Sequence, residues 1–218
     1  MKPLCLFLLL CPALLAASIL EDLDAAQIEE VARGGQVSLL QDVAAHPWPK
    51  VRIYQKVDAT PEQVAAVFCD YKNAKAYVPK VIKSDISRQV TPCVAEVDYG
   101  IDVPILPDEY YTVRNTLAGE PDGGYLVTWS LVKALQTKAS DGSLRIERWK
   151  GGSVIRYTNL VTPGSGMAGL LKSTAIDQMK NTVKAIVARV EKQKADCPEA
   201  LRENIREMEG ALKNEPGK

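Results

Sequence analysis

The sequence predicts an α+β fold in which a curved antiparallel sheet of about seven strands wraps around one long C-terminal helix. Three observations carry this. Between Gly166 and Lys194, Ile176, Met179, Val183, Ile186 and Val190 recur at spacings of three and four and make one apolar stripe, while Asp177, Lys180, Lys184, Glu191 and Lys192 take the other side. Ahead of that helix, strand-like segments follow one another with only short turns between them, which makes them antiparallel neighbours. Two short helices interrupt the series after its first core strand. A long amphipathic helix needs an apolar floor, and only the sheet before it can supply one.

At 218 residues, 46% hydrophobic and 25% charged, the chain has the composition of one globular core. Its 27 basic and 27 acidic residues cancel without blocks of like charge, so neither nucleic acid nor an anionic surface is indicated as a partner. The first eighteen residues stand apart. Lys2, the apolar Leu4 to Leu15 and the small Ala16-Ala17-Ser18 form a secretory signal peptide that is expected to be removed, leaving an exported protein, periplasmic or secreted. A membrane anchor is the competing reading, but the apolar run is short for a bilayer and Glu21, Asp22 and Asp24 follow at once. The expected organisation is a leader over 1–18, a helix and strand extension over 19–49, the main domain over 50–195, and a short helix and tail over 196–218.

Leu23 to Arg33 has helical periodicity and stops at Gly34-Gly35, Gln36 to Val43 reads as a short strand, and His46-Pro47-Trp48-Pro49 as a rigid loop. Trp48 there is expected to plug one end of the core, with a ligand contact as the alternative. Val51 to Val57 alternates as a half-buried strand. Thr60-Pro61-Glu62-Gln63 then carries a capping box with proline at the first helical position, so a helix with Val64, Val67 and Phe68 buried begins here. Tyr71 to Tyr77 forms a second short helix. Six strands follow, over Val81–Val90, Ala95–Val103, Tyr110–Leu117, Tyr125–Val132, Leu144–Trp149 and Val154–Val161. The turns between them are expected at Thr91-Pro92, Pro104 to Asp108, Gly119 to Gly124, Ser140-Asp141-Gly142 and Gly151-Gly152. After Pro198, Leu201, Ile205, Met208 and Leu212 recur at four, three and four, a further amphipathic helix that either folds back on the domain or offers a stripe to a partner.

Taken in order, these segments resemble the START-like or Bet v 1-like helix-grip superfamily, which includes polyketide cyclase and coenzyme Q-binding proteins. Val57 to Val64 is similar to the superfamily's entry into its first short helix. Asp108 to Arg114 and Gly142 to Glu147 are similar to segments that open later strands, and Val154 to Gly166 with the helix after it resembles the closing part of the fold. The resemblance covers roughly Lys50 to Lys194. Glu109 departs from it, standing where many members carry a basic residue. The resemblance implies a hydrophobic small molecule or lipid as partner, with transient membrane contact and no cofactor.

A strongly curved sheet does not close fully on a straight helix, so a cavity is expected between them. Tyr99, Tyr111, Trp129, Trp149 and Tyr157 on the strands, with Met179 and Val183 on the helix, are the candidate apolar lining. Arg145 and Glu147 share an alternation face with Trp149, and Arg114 shares one with Tyr110 and Thr112. If those faces turn inward, Arg114 or Arg145 would anchor a polar head group; otherwise they are solvated outside. Neither HExxH nor G-x-S-x-G occurs. The reading is therefore a ligand-binding domain, carrier or sensor, with a cyclase- or hydrolase-like enzyme and a protein-interaction module as alternatives.

Cys5 and Cys11 fall in the leader, and Cys69, Cys93 and Cys197 remain. In an exported protein a Cys93–Cys197 disulfide is expected, because some thirty helical residues rise about 45 Å and would carry Cys197 back to the Thr91-Pro92 end of the sheet. Cys69 is the competing partner and unbridged thiols the other alternative. A nucleophilic cysteine would need a base, and His46 is the chain's only histidine.

Overall fold

Asp24 and Thr60 start the first two helices in the same way. In the computed structural model, which describes residues 18–103, 107–164 and 168–216, the Asp24 carboxylate accepts the Gln27 N–H at 2.9 Å and the Gln27 side chain accepts the Asp24 N–H at 3.0 Å. This opens α1 (Ala25–Ala32). Thr60 and Gln63 make the reciprocal pair at the head of α2 (Pro61–Cys69), with Pro61 in the first turn. Such caps satisfy N–H groups that the helix itself cannot, each contributing about 1 kcal/mol. A 3-10 helix over Tyr71–Ala76 follows α2.

The strands are β1 (Gln36–Gln41), β2 (Lys50–Val57), β3 (Val81–Thr91), β4 (Val94–Ile101), β5 (Glu109–Gly119), β6 (Tyr125–Ala134), β7 (Ala139–Trp149) and β8 (Gly152–Thr162). They form one antiparallel sheet in the order β1-β2-β8-β7-β6-β5-β4-β3. The eighth strand is β1, which the sequence placed in an extension and which pairs along β2 as an edge. The long helix α3 (Ala168–Asp196) lies against the sheet, and α4 (Pro198–Lys213) follows it.

The two faces of the sheet bury different things. On the inner face, Val51, Ile53, Val127, Leu144, Ile146 and Ile155 pack with Val64 and Val67 of α2, Val183, Val187 and Val190 of α3, and Leu201 and Met208 of α4. On the outer face Ile19, Leu23 and Val31 cover Val37, Tyr54 and Val154. The Tyr54 hydroxyl donates to Asp22 at 2.6 Å and Arg156 pairs with the same carboxylate at 2.8 Å. Those two hydrogen bonds, led by that from Tyr54, hold the Asp22 carboxyl below its ordinary range, against a smaller opposing effect of burial.

Two expectations need correction and one alternative is decided. Ser140, Asp141 and Gly142 lie inside β7, not in a turn, and β6 continues to Ala134. The glycine there serves side-chain packing, as described below. Of the two alternatives for α4, it folds back on the domain: Leu201 and Met208 are buried in the core, and Ile205 and Leu212 pack on it. Finally, no disulfide joins Cys69, Cys93 and Cys197. The end of α4, not the end of α3, is what reaches Cys93, where the Glu215 carboxylate accepts the Cys93 N–H at 2.8 Å and the Thr91 hydroxyl at 2.6 Å. Cys197 caps the opposite end of α4, whose 16 residues rise about 24 Å, well past the roughly 7 Å Cα separation a disulfide spans. The leader, with Cys5 and Cys11, lies outside the described residues, as do parts of the expected breaks at Pro104 to Asp108 and Pro163 to Gly166.

Candidate ligand cavity

Strand register builds the cavity floor. Ala95, Asn115, Trp129, Gly142, Asn159 and Val51 stand opposite one another in a single row from β4 across to β2. Residues directly opposite share a face, and here it is the inner one. Alternation then brings Val113, Tyr111, Tyr99, Leu131, Tyr157 and Val161 to the same side.

Between this face and α3 lies a cavity of about 790 Å3, within the range usual for small-molecule sites. Helix α3 contributes Leu171, Thr174, Gln178, Met179 and Thr182, while Tyr77 and Trp48 close the sides. Aromatic rings group on its walls. Trp129 lies 5.1 Å from Tyr157 and 6.0 Å from Phe68, and Tyr99 lies 5.7 Å from Tyr111, all between ring centroids. Burial is the main cause that raises the Tyr99, Tyr111 and Tyr157 hydroxyls above their ordinary range. They stay neutral at physiological pH, giving weakly polar tips on apolar walls.

Trp129 can lie against the sheet because its neighbour in the row is glycine. A Cβ built on Gly142 would stand 2.2 Å from the indole Cζ2. This is why a residue type that signals a turn occurs in mid-strand.

Among the polar groups of the cavity, two asparagines are buried with a hydrogen-bonding atom unmatched. Asn115 and Asn159 are 4% and 8% exposed, and Asn115 Nδ2 and Asn159 Oδ1 have no hydrogen-bond partner. Towards one end, Glu109 accepts the backbone N–H groups of Gln136 and Thr137 at 2.9–3.1 Å. Lys80 and Asp102, each about half exposed, pair at 2.5 Å on the rim.

Of the residues singled out from sequence, Tyr99, Tyr111, Trp129, Tyr157 and Met179 line the cavity. Val183 does not: it is fully buried in the core, because the face of α3 divides between Met179, Thr182 and Ile186 over the cavity and Val183, Val187 and Val190 over the packed part. Arg114, Arg145, Glu147 and Trp149 are on the other side of the sheet, one residue out of phase with inward Asn115, Leu144 and Ile146. Arg114 and Arg88 bracket Glu96, each at 2.7 Å. Arg145 pairs with Glu147 at 3.2 Å, and Glu147 accepts the Ile19 N–H at 3.0 Å and the Ser18 hydroxyl at 2.9 Å. Trp149 packs into the outer cluster, so none of these four meets a ligand in the cavity.

Sequence reasoning passed over Asn115, Asn159 and Tyr77; it preferred a core plug for Trp48 with a ligand contact as the alternative, and the structure puts Trp48 on the cavity wall. The signal for the two asparagines was available. Each is a polar residue on an otherwise apolar alternation phase, between Val113 and Leu117 and between Tyr157 and Val161.

A bent antiparallel sheet gripping a C-terminal helix, two short helices after the first core strand, and a cavity between sheet and helix define the START/Bet v 1-like helix-grip fold, and this chain has it. By sequence, no family model and no curated protein matches the chain. Among solved structures it is similar to a STAR-related lipid transfer protein fragment from Xanthomonas axonopodis, with 18% identity over 72% of this chain and 94% of that one and a TM-score of 0.65. The human StAR-related lipid transfer protein 5 matches at 10% identity, covering 73% and 83%, with a TM-score of 0.60. The Zhui aromatase/cyclase from Streptomyces sp. R1128 matches at 16%, covering 67% and 96%, with a TM-score of 0.58.

Proposed function

We propose that this chain is an exported carrier or sensor that holds one lipid or other hydrophobic small molecule between the sheet and α3. The observation that carries the reading is the continuous cavity of about 790 Å3 walled by Trp129, Tyr157, Tyr99 and Tyr111. An apolar ligand of that size would pack against these rings as side chains pack in a native interior. The lipid-transfer proteins among the similar structures support the same use of the fold. Loading from a membrane would need only transient contact at the rim, where Leu135 is 70% exposed.

Export is supported by the leader-like first eighteen residues and by the packing that begins directly after them, Ile19 being fully buried. Solvent extraction of protein purified from its native compartment tests the binding reading. A stoichiometric apolar molecule is expected, and an empty extract would count against it. Sequencing the N-terminus of the same material tests export, with Ile19 or a near neighbour expected first and Met1 contradicting it.

A further inference from the structure

Asn115 and Asn159 are the two polar side chains that the inner face buries without completing their hydrogen bonds. The unsatisfied groups are complementary, a donor at Asn115 Nδ2 and an acceptor at Asn159 Oδ1. In Asn159 the carbonyl oxygen is the buried group left unused. Both residues line the cavity. Buried polar groups left unmatched are costly, so their presence on an apolar phase calls for a partner that enters the cavity.

Their placement gives the partner's shape. The two asparagines are three strand spacings apart in one row, about 14 Å across the sheet and less between side chains converging from a curved surface. Trp129, whose indole covers the face of Gly142, lies between them. A flat apolar body on the indole would put one end at each amide.

Charge on the cavity wall restricts the chemistry. The charged side chains among the described lining residues are Lys80, Asp102, Glu109 and Lys138. Lys80 and Asp102 neutralise each other on the rim, Lys138 is exposed, and Glu109 is an anion six residues along β5 from Asn115. The arginines that could meet an anion, Arg114 and Arg145, face away and are paired. An anionic group at the asparagine row would be buried without a counter-charge.

We infer that the cavity selects an uncharged ligand with an apolar, flat body and two neutral polar ends, an acceptor such as a ketone at Asn115 and a donor such as a hydroxyl at Asn159. Fatty-acid carboxylates and phosphate head groups are disfavoured at this row. This rests on the ligand-cavity reading above and specifies the ligand's polarity.

Three para-substituted biphenyls of one shape test it against the intact exported protein after ligand removal: one with acetyl and hydroxyl ends, one with carboxylate and hydroxyl ends, and one with only alkyl ends. The acetyl-hydroxyl compound is expected to bind at least about tenfold more tightly than the carboxylate, and Asn115→Leu or Asn159→Leu to cost it about tenfold, the worth of one hydrogen bond to a buried group. The alkyl compound should bind both variants as it binds the parent, which also shows that they fold. Equal or tighter binding of the carboxylate, or a preference unchanged in both variants, overturns the inference alone. If none of the three binds the parent, the ligand-cavity reading falls and this inference with it.

Discussion

Trp129 lies across Gly142 so closely that the missing side chain is part of the cavity floor: a Cβ there would stand 2.2 Å from the indole and 2.6 Å from the Thr158 carbonyl oxygen. Gly142→Ala should therefore push the indole off the sheet and strain β7 against β8. A loss of about 1–3 kcal/mol, typical of overpacking, is expected in urea unfolding, together with altered Trp129 fluorescence. Unchanged stability and emission would mean that Trp129 does not occupy this place.

On the outer face the corresponding anchor is Glu147, which holds the Ile19 N–H and the Ser18 hydroxyl and pairs with Arg145. Glu147→Ala would leave the largely buried Arg145 with only its longer, 3.6 Å contact to Glu120 and release the segment that covers Tyr54. A cost of about 3 kcal/mol is expected, with protease cleavage appearing between Leu20 and Arg33. Resistance to cleavage equal to that of the parent would show that the segment is held by its apolar contacts alone.

Glu96 predicts a pH dependence. Hydrogen bonds from Arg88 and Arg114 hold its carboxyl down at about 2, below the ordinary glutamate range. A depressed carboxylate stabilises the fold above its unfolded pKa and loses that contribution as the pH falls through its folded one. The stability difference between the parent and Glu96→Gln should thus be constant above about pH 5 and shrink between there and about pH 2. A difference that grows on acidification would reverse the assignment.

The last helix carries stability. Removing Pro198 to Lys218 would expose the core around Leu201 and Met208 and cut the Glu215 bonds to Thr91 and Cys93. Loss of two buried side chains of this size costs about 4 kcal/mol or more, so a marked fall in Tm is expected. An unchanged Tm would mean that α4 is undocked in solution.

Periodicity was a good guide where one physical effect decided the outcome. The capping box at Thr60, the α3 stripe and the alternation of β5 and β8 are local, and each could be read directly. It failed where the outcome depended on a partner elsewhere in the chain. Gly142 resembles a turn residue until Trp129 is seen to lie on it, and alternation alone could not say that Arg145, Glu147 and Trp149 face outward. That choice is made by Ile19 and Leu23, which cover the outer face, more than a hundred residues earlier in the chain. The Cys93–Cys197 pairing failed for a similar reason, since α4 intervenes and brings Glu215, not Cys197, to Cys93.

The central claim is that the space between the sheet and α3 holds a small molecule, and native mass spectrometry tests it most directly. Protein purified without detergent is compared with Ala175→Trp, which would fill the cavity from the α3 side. The parent should carry one non-covalently bound molecule that the variant lacks, while both keep the same far-UV circular dichroism. Bare polypeptide mass for both, or a bound molecule kept equally by the filled variant, would contradict the account.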